Sequence, residues 1–418
     1  MREDKPIVSN PMLCTSEALA FLMKAARPVA EIDIVPTLEA NGRVLAEAQT
    51  STLQVPGHDN TQMDGYAVRA IDCASGTATL PVTQRIAAGH VGQPLQHGSA
   101  ARIFTGAMIP AGADAVVMQE QCELTPGATP TALATVTIRH APQAGDWVRR
   151  AGEDIAAGSV ILGAGTRLRS QELGLAASVG LAELPVRRRL RVAVFFTGDE
   201  LTMPGQPLAP GAIYNSNRFT LRALLENLGC QITDYGIVPD ALAATRAVLR
   251  EASEQHDLII TSGGVSVGEE DHIKPAVEAE GRLTMWQIAV KPGKPLAFGE
   301  VKQAFFLGLP GNPVSSFITF LLFVRPFILR LQGVIDAAVL EPKKYAMRAD
   351  FDWLKADRRN EFLRAKINQG GGLDLFPNQG SGVLTSTVWG DGLIDNPPGQ
   401  TIAAGDMVRF IPFGELLA

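Results

Sequence analysis

Residues 257–271 hold the side chains and glycines of this chain best suited to binding an anion. An apolar run, Asp-Leu-Ile-Ile-Thr, leads into two serine hydroxyls and three glycines, which are Ser262, Gly263, Gly264, Ser266 and Gly268. Glycine allows the positive φ angles that turn backbone N–H groups toward a ligand, and turned amides of this kind bind anions. The spacing matches neither the Walker sequence nor Gly-x-Gly-x-x-Gly. We therefore predict an anion-binding loop, suited to phosphate, at the end of a strand.

Three carboxylates, Glu269, Glu270 and Asp271, follow this loop directly. Mg²⁺ is commonly bound by one or two carboxylates together with phosphate oxygens. The carboxylates therefore predict a metal ion, or a second cationic element, beside the anion.

Polar residues also follow three other apolar runs. They are Glu200 after 192–196, Asp240 after 231–238, and the segment from Pro310 to Pro313 after 305–309. Taken alone, Asp240 and Asn312 are better explained as helix N-caps, with Pro313 suited to the first helical position. At one edge of one sheet, however, they would favour a ligand site.

The segment Lys291-Pro-Gly-Lys-Pro places two ammonium groups three residues apart on a stiff, non-helical frame. Two lysines in an exposed turn usually serve solubility. In an acidic protein, the rigid frame favours the alternative that Lys291 and Lys294 bind an oxyanion.

The elements that must position these residues follow from the hydrophobic pattern between 187 and 338. Short apolar runs alternate with amphipathic stretches, which predicts a doubly wound, mostly parallel α/β sheet. The predicted strands are 192–196, 231–238, 258–260 and 305–309, and the predicted helices are 217–228, 241–252, 273–280 and 314–331. Ligands bind at the carboxyl ends of such strands, where the glycine loop lies.

The rest of the chain is mostly β in pattern. Helices are predicted at 12–27, capped by Thr15 or Ser16, and at 170–180. Short Val- and Thr-rich runs between Gly and Pro predict a β-rich module over 46–145, and a β-barrel-like domain follows Pro342. The tail strands are expected at 346–352, 362–367, 383–388 and 406–410.

Polar residues cluster at turns of the β-rich module and just after it. Asp59 lies in a polar segment that continues to Asp64, Thr105 ends a β-prone run, and Asp154 lies in a Gly-Glu-Asp turn. Each could be a turn residue only. The histidines show no metal-ligand spacing, and no Ser-His-Asp or Cys-His arrangement can be argued.

Composition excludes several classes of protein. The 418 residues carry 37 Lys and Arg against 43 Asp and Glu, a net charge of −6, which argues against non-specific nucleic-acid binding. The four cysteines lie far apart, as expected for reduced cytosolic thiols. No signal peptide is recognisable, and the apolar run 317–331 is expected to be a core helix rather than a membrane span. We expect a cytoplasmic protein.

Together these segments resemble the molybdopterin molybdenumtransferase family, whose eukaryotic relatives include the E domain of gephyrin. The resemblance rests on motifs in the family's order over nearly the whole chain. They are Asp-Asn-Thr-Gln-Met-Asp-Gly-Tyr-Ala-Val at 59–68, Arg-Ile-Phe-Thr-Gly-Ala-Met-Ile-Pro at 102–110, Gly-Glu-Asp-Ile at 152–155, Thr-Gly-Asp-Glu-Leu at 197–201, Asn-Ser-Asn at 215–217, Thr-Ser-Gly-Gly-Val-Ser-Val-Gly at 261–268, Lys-Pro-Gly-Lys-Pro at 291–295 and Leu-Pro-Gly-Asn-Pro-Val-Ser at 309–315.

The resemblance implies a multidomain α/β and β protein that forms an elongated homodimer. The implied parts are an N-terminal helix packing on the α/β domain (1–27), a connecting domain (28–45 and 146–186), the β-rich module (46–145), a doubly wound molybdopterin-binding α/β domain (187–338) and a C-terminal β-barrel-like domain (339–418). The implied reaction inserts molybdate into adenylylated molybdopterin, releases AMP and requires Mg²⁺. The adenylyltransferase of the preceding step and recipient molybdoenzymes or chaperones are the implied partners.

The resemblance also implies a set of site residues. The catalytic set is Asp59, Thr105, Asp154, Glu200, Asp240, Asp271, Lys291 and Lys294, with Asp240 and Asp271 at the metal. The substrate-binding set is Ser262, Gly263, Gly264, Ser266, Gly268, Pro310, Pro313, Arg364 and Ser381. In the family dimer, Asp59 and Thr105 of one subunit would approach the other subunit's α/β sheet.

Two rival functions stay open at this point. The molybdopterin adenylyltransferase shares the glycine loop and its sheet, but it is typically a single compact domain, which the additional modules here count against. A gephyrin-like scaffold that binds a partner peptide would need a hydrophobic groove near the tail domain, and composition cannot reveal one.

Overall fold

The computed structural model describes residues 12–265 and 272–417 of the chain. Three of the expected site residues, Ser266, Gly268 and Asp271, lie outside the described residues.

The predicted α/β domain is present and is built on a six-stranded sheet. In spatial order its strands are Gln231–Val238, Arg191–Thr197, Leu258–Ser262, Ala304–Leu309, Pro295–Val301 and Gly281–Gln287. The first four are parallel to one another. Pro295–Val301 pairs antiparallel with Ala304–Leu309, and Gly281–Gln287 pairs antiparallel with Pro295–Val301. The parallel strands 191–197, 258–262 and 304–309 are almost wholly buried, as expected for a sheet covered on both faces.

The helices of this domain cover the sheet through their apolar faces. They are Ser216–Asn227, Leu242–Gln255, Ile273–Glu280, Pro313–Thr319 and Arg325–Leu331. The run predicted as one helix over 314–331 is instead α-helical at both ends, with a π-helical segment, Phe320–Val324, between them. Pro326, which lacks a backbone N–H, lies in the first turn of the last part.

One helical run among the described residues, Pro313–Leu331, has the length and mean hydropathy (1.7) that a membrane span would have. In its most apolar window, however, 83% of the residues are buried inside the structure. The sequence-based expectation of a core helix is therefore confirmed. The helix Thr15–Ala25 buries Ala18 and Leu22 in the same hydrophobic cluster.

A second six-stranded sheet lies between residues 65 and 138. Its strands in order are Ala115–Met118, Gly65–Val68, Ala100–Ile103, Ala78–Ile86, Thr135–Ile138 and Cys122–Thr125. It is followed by the helix Ser170–Ser178, and the strand pair Ile32–Pro36 with Glu183–Arg187 leads back to the α/β domain.

The tail forms a curled sheet that also takes in a piece of the α/β domain. Its strands in order are Val290–Lys291, Asn360–Ile367, Gly392–Asn396, Met407–Pro412 and Tyr345–Arg348, with Leu373–Leu375 paired to 360–367. The prediction of a strand at 383–388 is wrong, because Thr385–Trp389 is a helix. The parallel pair between 290–291 and 360–361 joins the lysine segment to the tail.

Candidate functional site at the carboxyl edge of the α/β sheet

Three strand ends meet at the start of the glycine loop. Ser262 is buried, and its hydroxyl donates to the carbonyl of Pro310 (2.9 Å) and accepts from the amide of Asn217 (2.8 Å). The same Asn217 amide also donates to the carbonyl of Gly311 (2.8 Å). The backbone N–H of Gly263 donates to Leu309 (3.2 Å). The glycine loop and the 309–313 turn are therefore locked together as one unit.

The backbone of the loop needs glycine at its first two positions. Gly263 has φ +101° and Gly264 has φ +62°. A Cβ on Gly263 would lie 2.5 Å from the carbonyl oxygen of Thr197 at the end of the neighbouring strand. This close approach leaves no room for a side chain, so the loop conformation depends on glycine.

The 309–313 turn begins a buried helix and touches the tail domain. Pro310 is buried, Pro313 occupies the first helical turn, and the backbone N–H of Val314 donates to the carbonyl of Ser381 (3.0 Å). Asn312 is the N-cap residue, but its side chain makes no capping hydrogen bond. Asn312 is exposed at the edge of the site. Its side chain lacks the capping hydrogen bond that a purely structural role would predict.

Four buried hydroxyls around this edge have no hydrogen-bond partner in the part of the chain that the structure describes. They are Thr197, Thr261, Ser316 and Thr319. Buried polar atoms are normally paired, so orphaned hydroxyls mark a site where a ligand or water would complete the bonding. Gly293 of the lysine segment packs directly on Thr319, which places that segment over the same helix.

The two lysines have different surroundings. The Lys291 ammonium donates to Glu361 (2.9 Å) and lies 3.1 Å from Asp357, whereas Lys294 is exposed. Burial lowers the pKa of Lys291, but its bonds to Glu361 and Asp357 outweigh burial, so that pKa lies above its ordinary value. The side chain of Lys294 lines an open cavity of about 520 Å³ beside Asp357, Arg358 and Arg359. Lys291 is thus engaged with the tail, and Lys294 is the lysine presented to solvent.

Arg364 is a fully buried guanidinium in the tail domain, directly below the loop that carries Ser381. It donates to the carbonyl of Gly380 (3.1 Å), the carbonyl of Phe362 (3.2 Å) and the hydroxyl of Ser386 (3.1 Å). No carboxylate of the described chain forms an ion pair with it, and burial lowers its pKa to about 10. A buried cation without a counter-ion next to the half-buried Ser381 is suited to an oxyanion.

Glu200 and Asp240 follow the two strands on the other side of the sheet. Glu200 is exposed, and Asp240 is half-buried after Gln231–Val238. The helix Leu242–Gln255 is capped by Ala241, so the structural explanation of Asp240 as its N-cap is wrong. The described residues contain no group of three His, Cys, Asp or Glu side chains placed to bind a metal. A carboxylate at this edge nevertheless has the oxygen chemistry that Mg²⁺ requires.

Asp59, Thr105 and Asp154 lie in the N-terminal half and make their polar contacts there. Asp59 accepts from the backbone of Ala151 (2.8 Å) and from Arg150 (2.7 Å), and these bonds hold its pKa below the usual value. The N–H and hydroxyl of Thr105 both donate to Asp64 (2.8 and 2.7 Å). Among the described residues, no hydrogen bond or ion pair links these three residues to the α/β sheet of the same chain. The exposed side of this cluster is therefore available to another molecule.

Sequence reasoning missed two residues that organise the site, Asn217 and Glu361. Asn217 belongs to the Asn-Ser-Asn motif, and its position in the first turn of a helix that follows a strand end could have suggested that its amide points at the sheet edge. Glu361 is buried in a tail strand and also accepts from Trp353 (3.0 Å) and Asn396 (3.3 Å). Nothing in its local sequence distinguishes it, because its contact with Lys291 comes from a segment 70 residues away.

Comparison with known proteins gives matches along the whole chain. Three family models match in order: the MoeA N-terminal region (domain I and II) at residues 13–180, a probable molybdopterin binding domain at 193–330, and the MoeA C-terminal region (domain IV) at 346–413.

Two curated relatives illustrate the similarity. A molybdopterin molybdenumtransferase of Haemophilus influenzae is 40% identical over 97% of this chain and 100% of its own length. Molybdopterin molybdenumtransferase 2 of Mycobacterium tuberculosis is 37% identical over 94% of this chain and 96% of its own.

Solved structures agree with these matches. Two crystal structures of molybdopterin biosynthesis MoeA protein from Pyrococcus horikoshii superpose with TM-scores of 0.82 and 0.76, at 26% and 30% identity, and each covers 96% of this chain and at least 99% of the other. Together with the geometry of the sheet edge, these matches show that the chain belongs to the molybdopterin molybdenumtransferase family, and thus is an enzyme of molybdenum cofactor biosynthesis.

Proposed function

We propose that this enzyme inserts molybdate into adenylylated molybdopterin and releases AMP, the final step of molybdenum cofactor synthesis. The observation that carries the proposal is the junction at residues 309–314. On one side lies the glycine loop, anchored by Ser262, and on the other lies the tail loop of Ser381 above the buried Arg364. Two anion-binding features meeting at one helix start suit a reaction between two oxyanionic groups.

The proposed chemistry is electrostatic. Molybdate and the pyrophosphate of the adenylylated pterin repel each other, so cations are needed where they meet. We assign this role to Lys294 and Arg364, while Lys291 holds the lysine segment against Glu361. The backbone N–H of Gly264 is assigned to the pterin phosphate, since that of Gly263 already donates to Leu309. Ser266 and Gly268, which lie outside the described residues, are assigned to the same phosphate from the sequence motif.

Magnesium belongs to the proposal as the resident cation. Asp240 and Asp271 would bind it, and Glu200 lies on the adjacent strand end. When bound, it would supply positive charge that polarises the phosphoanhydride. In this proposal the three carboxylates share the task of holding the cation at the carboxyl edge of the sheet.

The active unit is proposed to be a homodimer. The polar contacts of Asp59, Thr105 and Asp154 lie entirely within the N-terminal half, which is what residues serving a site on a second copy would show. The proposal places them over the partner's sheet edge. We also propose that the enzyme is cytoplasmic. The adenylyltransferase of the preceding step would deliver the adenylylated molybdopterin, and recipient molybdoenzymes or chaperones would take up the product.

The central test compares two lysine variants. Lys294→Ala is expected to abolish molybdenum incorporation into the pterin, since it removes the exposed cation of the site. Lys302→Ala is the matched control, because Lys302 forms only an exposed ion pair with Glu254 (3.0 Å). Molybdenum bound to the pterin is measured by elemental analysis after gel filtration. Full incorporation by Lys294→Ala would refute the site.

The adenylyltransferase alternative gives a different result. It requires that the protein adenylylate molybdopterin from Mg-ATP, and we expect no such product. Formation of adenylylated molybdopterin would favour that alternative. The scaffold alternative requires instead that the wild-type protein itself incorporate no molybdenum.

A further inference from the structure

A cavity of about 840 Å³ lies where the connecting domain, the α/β domain and the tail meet. Its walls are the turn 163–169, the segment 335–339 and Gly414 and Glu415 of the last helix. Of the described site residues, neither Ser262, Lys294 nor Ser381 lines it. Its volume is in the range of small-molecule sites, and it is separate from the edge of the α/β sheet.

At Gly165 the connecting domain packs tightly against the α/β domain. This residue has φ +80°, and a Cβ there would lie 2.8 Å from a side-chain carbon of Ile335 and 3.0 Å from the carbonyl of Gly333. A side chain would therefore force the two walls apart. The cavity owes its shape to a position that only glycine fits.

Arg325 lines this cavity and is almost completely buried, with 5% of its surface exposed. Its Nη1 donates to the carbonyl of Val339 (3.2 Å), but its Nε is buried without a hydrogen-bond partner. No carboxylate in the described residues forms an ion pair with it. A guanidinium carries five N–H donors, so one hydrogen bond leaves most of its capacity unused. Buried charges are normally paired, so a partner is missing here.

The charged side chains that line the cavity favour an anion, because four cations outnumber two carboxylates: Arg167, Arg169, Arg325 and Lys343 against Asp336 and Glu415. Burial, and then the nearby Arg167, lower the pKa of Arg325 to about 10, while Glu415 acts in the opposite direction. Glu415 is itself hydrogen-bonded by the Tyr345 hydroxyl (3.0 Å). Lys343 adds an exposed ammonium at the rim. An anion bound between these cations would reduce their repulsion and satisfy the unused donors.

The backbone before Arg325 supports a functional role for its position. Phe320–Val324 forms a π-helical segment that ends directly before Arg325 in an otherwise apolar helix. An inserted residue turns every later side chain by about 100° around the helix axis. Such π turns occur frequently at functional sites.

We propose that this cavity is a second binding site, distinct from the substrate site, for an oxyanion of the phosphate class, with Arg325 as its buried anchor and Lys343 at its rim. The guanidinium fork matches phosphate oxygens in a bidentate manner, which a point charge does not. The proposal does not depend on the reaction proposed above. The source of the phosphate is either free inorganic phosphate or the phosphoryl group of a small molecule.

The test is calorimetric titration of the full chain with inorganic phosphate at ionic strength matched with NaCl. The titration is run in the Lys294→Ala background, so that binding at the substrate site is weakened. We expect saturable phosphate binding by the Lys294→Ala protein. Adding Arg325→Met should lower the phosphate affinity at least about tenfold, since the loss of a charge-assisted hydrogen bond has that magnitude. Arg222→Met is the matched control, because Arg222 pairs only with Glu226 on an exposed helix face.

Lys343→Glu keeps the test decisive if Arg325→Met does not fold. It reverses an exposed rim charge and is expected to weaken phosphate binding without disturbing the buried helix. Tighter binding of glycerol phosphate than of inorganic phosphate would identify a phosphorylated small molecule as the ligand, and the reverse would identify free phosphate. The proposal is overturned if phosphate gives no saturable signal beyond NaCl, or if it binds Arg325→Met and Lys343→Glu as tightly as their shared background.

Discussion

Gly263 determines the geometry of the anion loop at the scale of a single residue. Gly263→Ala would combine a left-handed φ of +101° with a Cβ contact of 2.5 Å to the Thr197 carbonyl. We expect a loss of about 2–4 kcal/mol of stability in the α/β domain, since left-handed geometry alone costs about 1–2 kcal/mol, together with at least tenfold weaker molybdopterin binding.

The matched control for this variant is Gly211→Ala. Gly211 has φ +86°, but a Cβ there meets no atom within 4 Å. It therefore reports the conformational strain without the steric contact. Urea unfolding and a fluorescence titration with molybdopterin measure the two effects. If both alanine variants bind the pterin equally well, the loop conformation described here is not what holds the ligand.

The cysteines give a prediction about pH. Burial raises the pKa of Cys230 to about 12 and that of Cys122 to about 11, because the apolar surroundings favour the neutral thiol. Thiolate is the reactive form, so at pH 8 these two thiols should react with iodoacetamide slowly, and the exposed Cys14 rapidly. Raising the pH to 9 should speed alkylation of Cys122 about tenfold. Mass spectrometry of tryptic peptides measures this, and equal labelling of Cys14 and Cys230 would contradict it.

At the scale of elements, the short pairing of 290–291 with 360–361 positions the lysine segment. Glu361→Gln keeps the acceptors for Trp353 and Asn396 but removes the charge that Lys291 contacts. We expect the tail to lose about 1–3 kcal/mol of stability, and kcat for molybdenum insertion to fall because Lys294 loses its fixed support. Glu254→Gln, in an exposed pair with Lys302, is the control and should change stability by less than about 0.5 kcal/mol.

The pH dependence tests whether the Lys291–Glu361 pair accounts for this stability. Because its carboxylate partners raise the pKa of Lys291, the stabilisation is complete below the ordinary lysine pKa and is lost as pH rises through the raised value. The stability difference between wild type and Glu361→Gln should therefore be constant from pH 7 to 9. A stability difference that vanished between pH 7 and 9 would mean that a group other than Lys291 controls the stability of the pairing between 290–291 and 360–361.

Elements whose pattern reflects burial were predictable from the sequence. The strands 231–238 and 258–262 and the helix 273–280 follow from apolar runs and periodicity, and so does the position of the glycine loop. The strands 281–287 and 295–301 were not anticipated. The second begins at Pro295, inside a segment whose prolines and lysines indicate a turn, and antiparallel pairing to 304–309 overrides that local signal.

The tail and the site contacts were less predictable for a related reason. The segment 383–388 has Val and Thr in a strand-like pattern, yet Thr385–Trp389 is helical, because Ser386 is buried and its hydroxyl accepts from Arg364. The contact of Glu361 with Lys291 and that of Asn217 with Ser262 likewise join residues more than 40 positions apart in the chain. Local sequence carries no record of such contacts.

At the scale of the whole molecule, the proposed dimer predicts complementation between two inactive variants. Asp59→Ala removes a residue proposed to serve the partner's site, and Lys294→Ala removes one that serves its own. Refolding the two together should restore about a quarter of wild-type activity, since half of randomly assembled dimers are mixed and each mixed dimer carries one intact site. Mixing without refolding is the control. No recovery, despite dimers shown by ultracentrifugation, would place both residues in the same subunit's site.

The most direct measurement is anaerobic incubation of the purified protein with adenylylated molybdopterin, molybdate and Mg²⁺, with AMP followed by chromatography. We expect stoichiometric AMP release that requires both molybdate and Mg²⁺ and is lost in Lys294→Ala. No AMP release in the complete mixture, or release at the same rate from Lys294→Ala, would contradict the proposed reaction at this sheet edge.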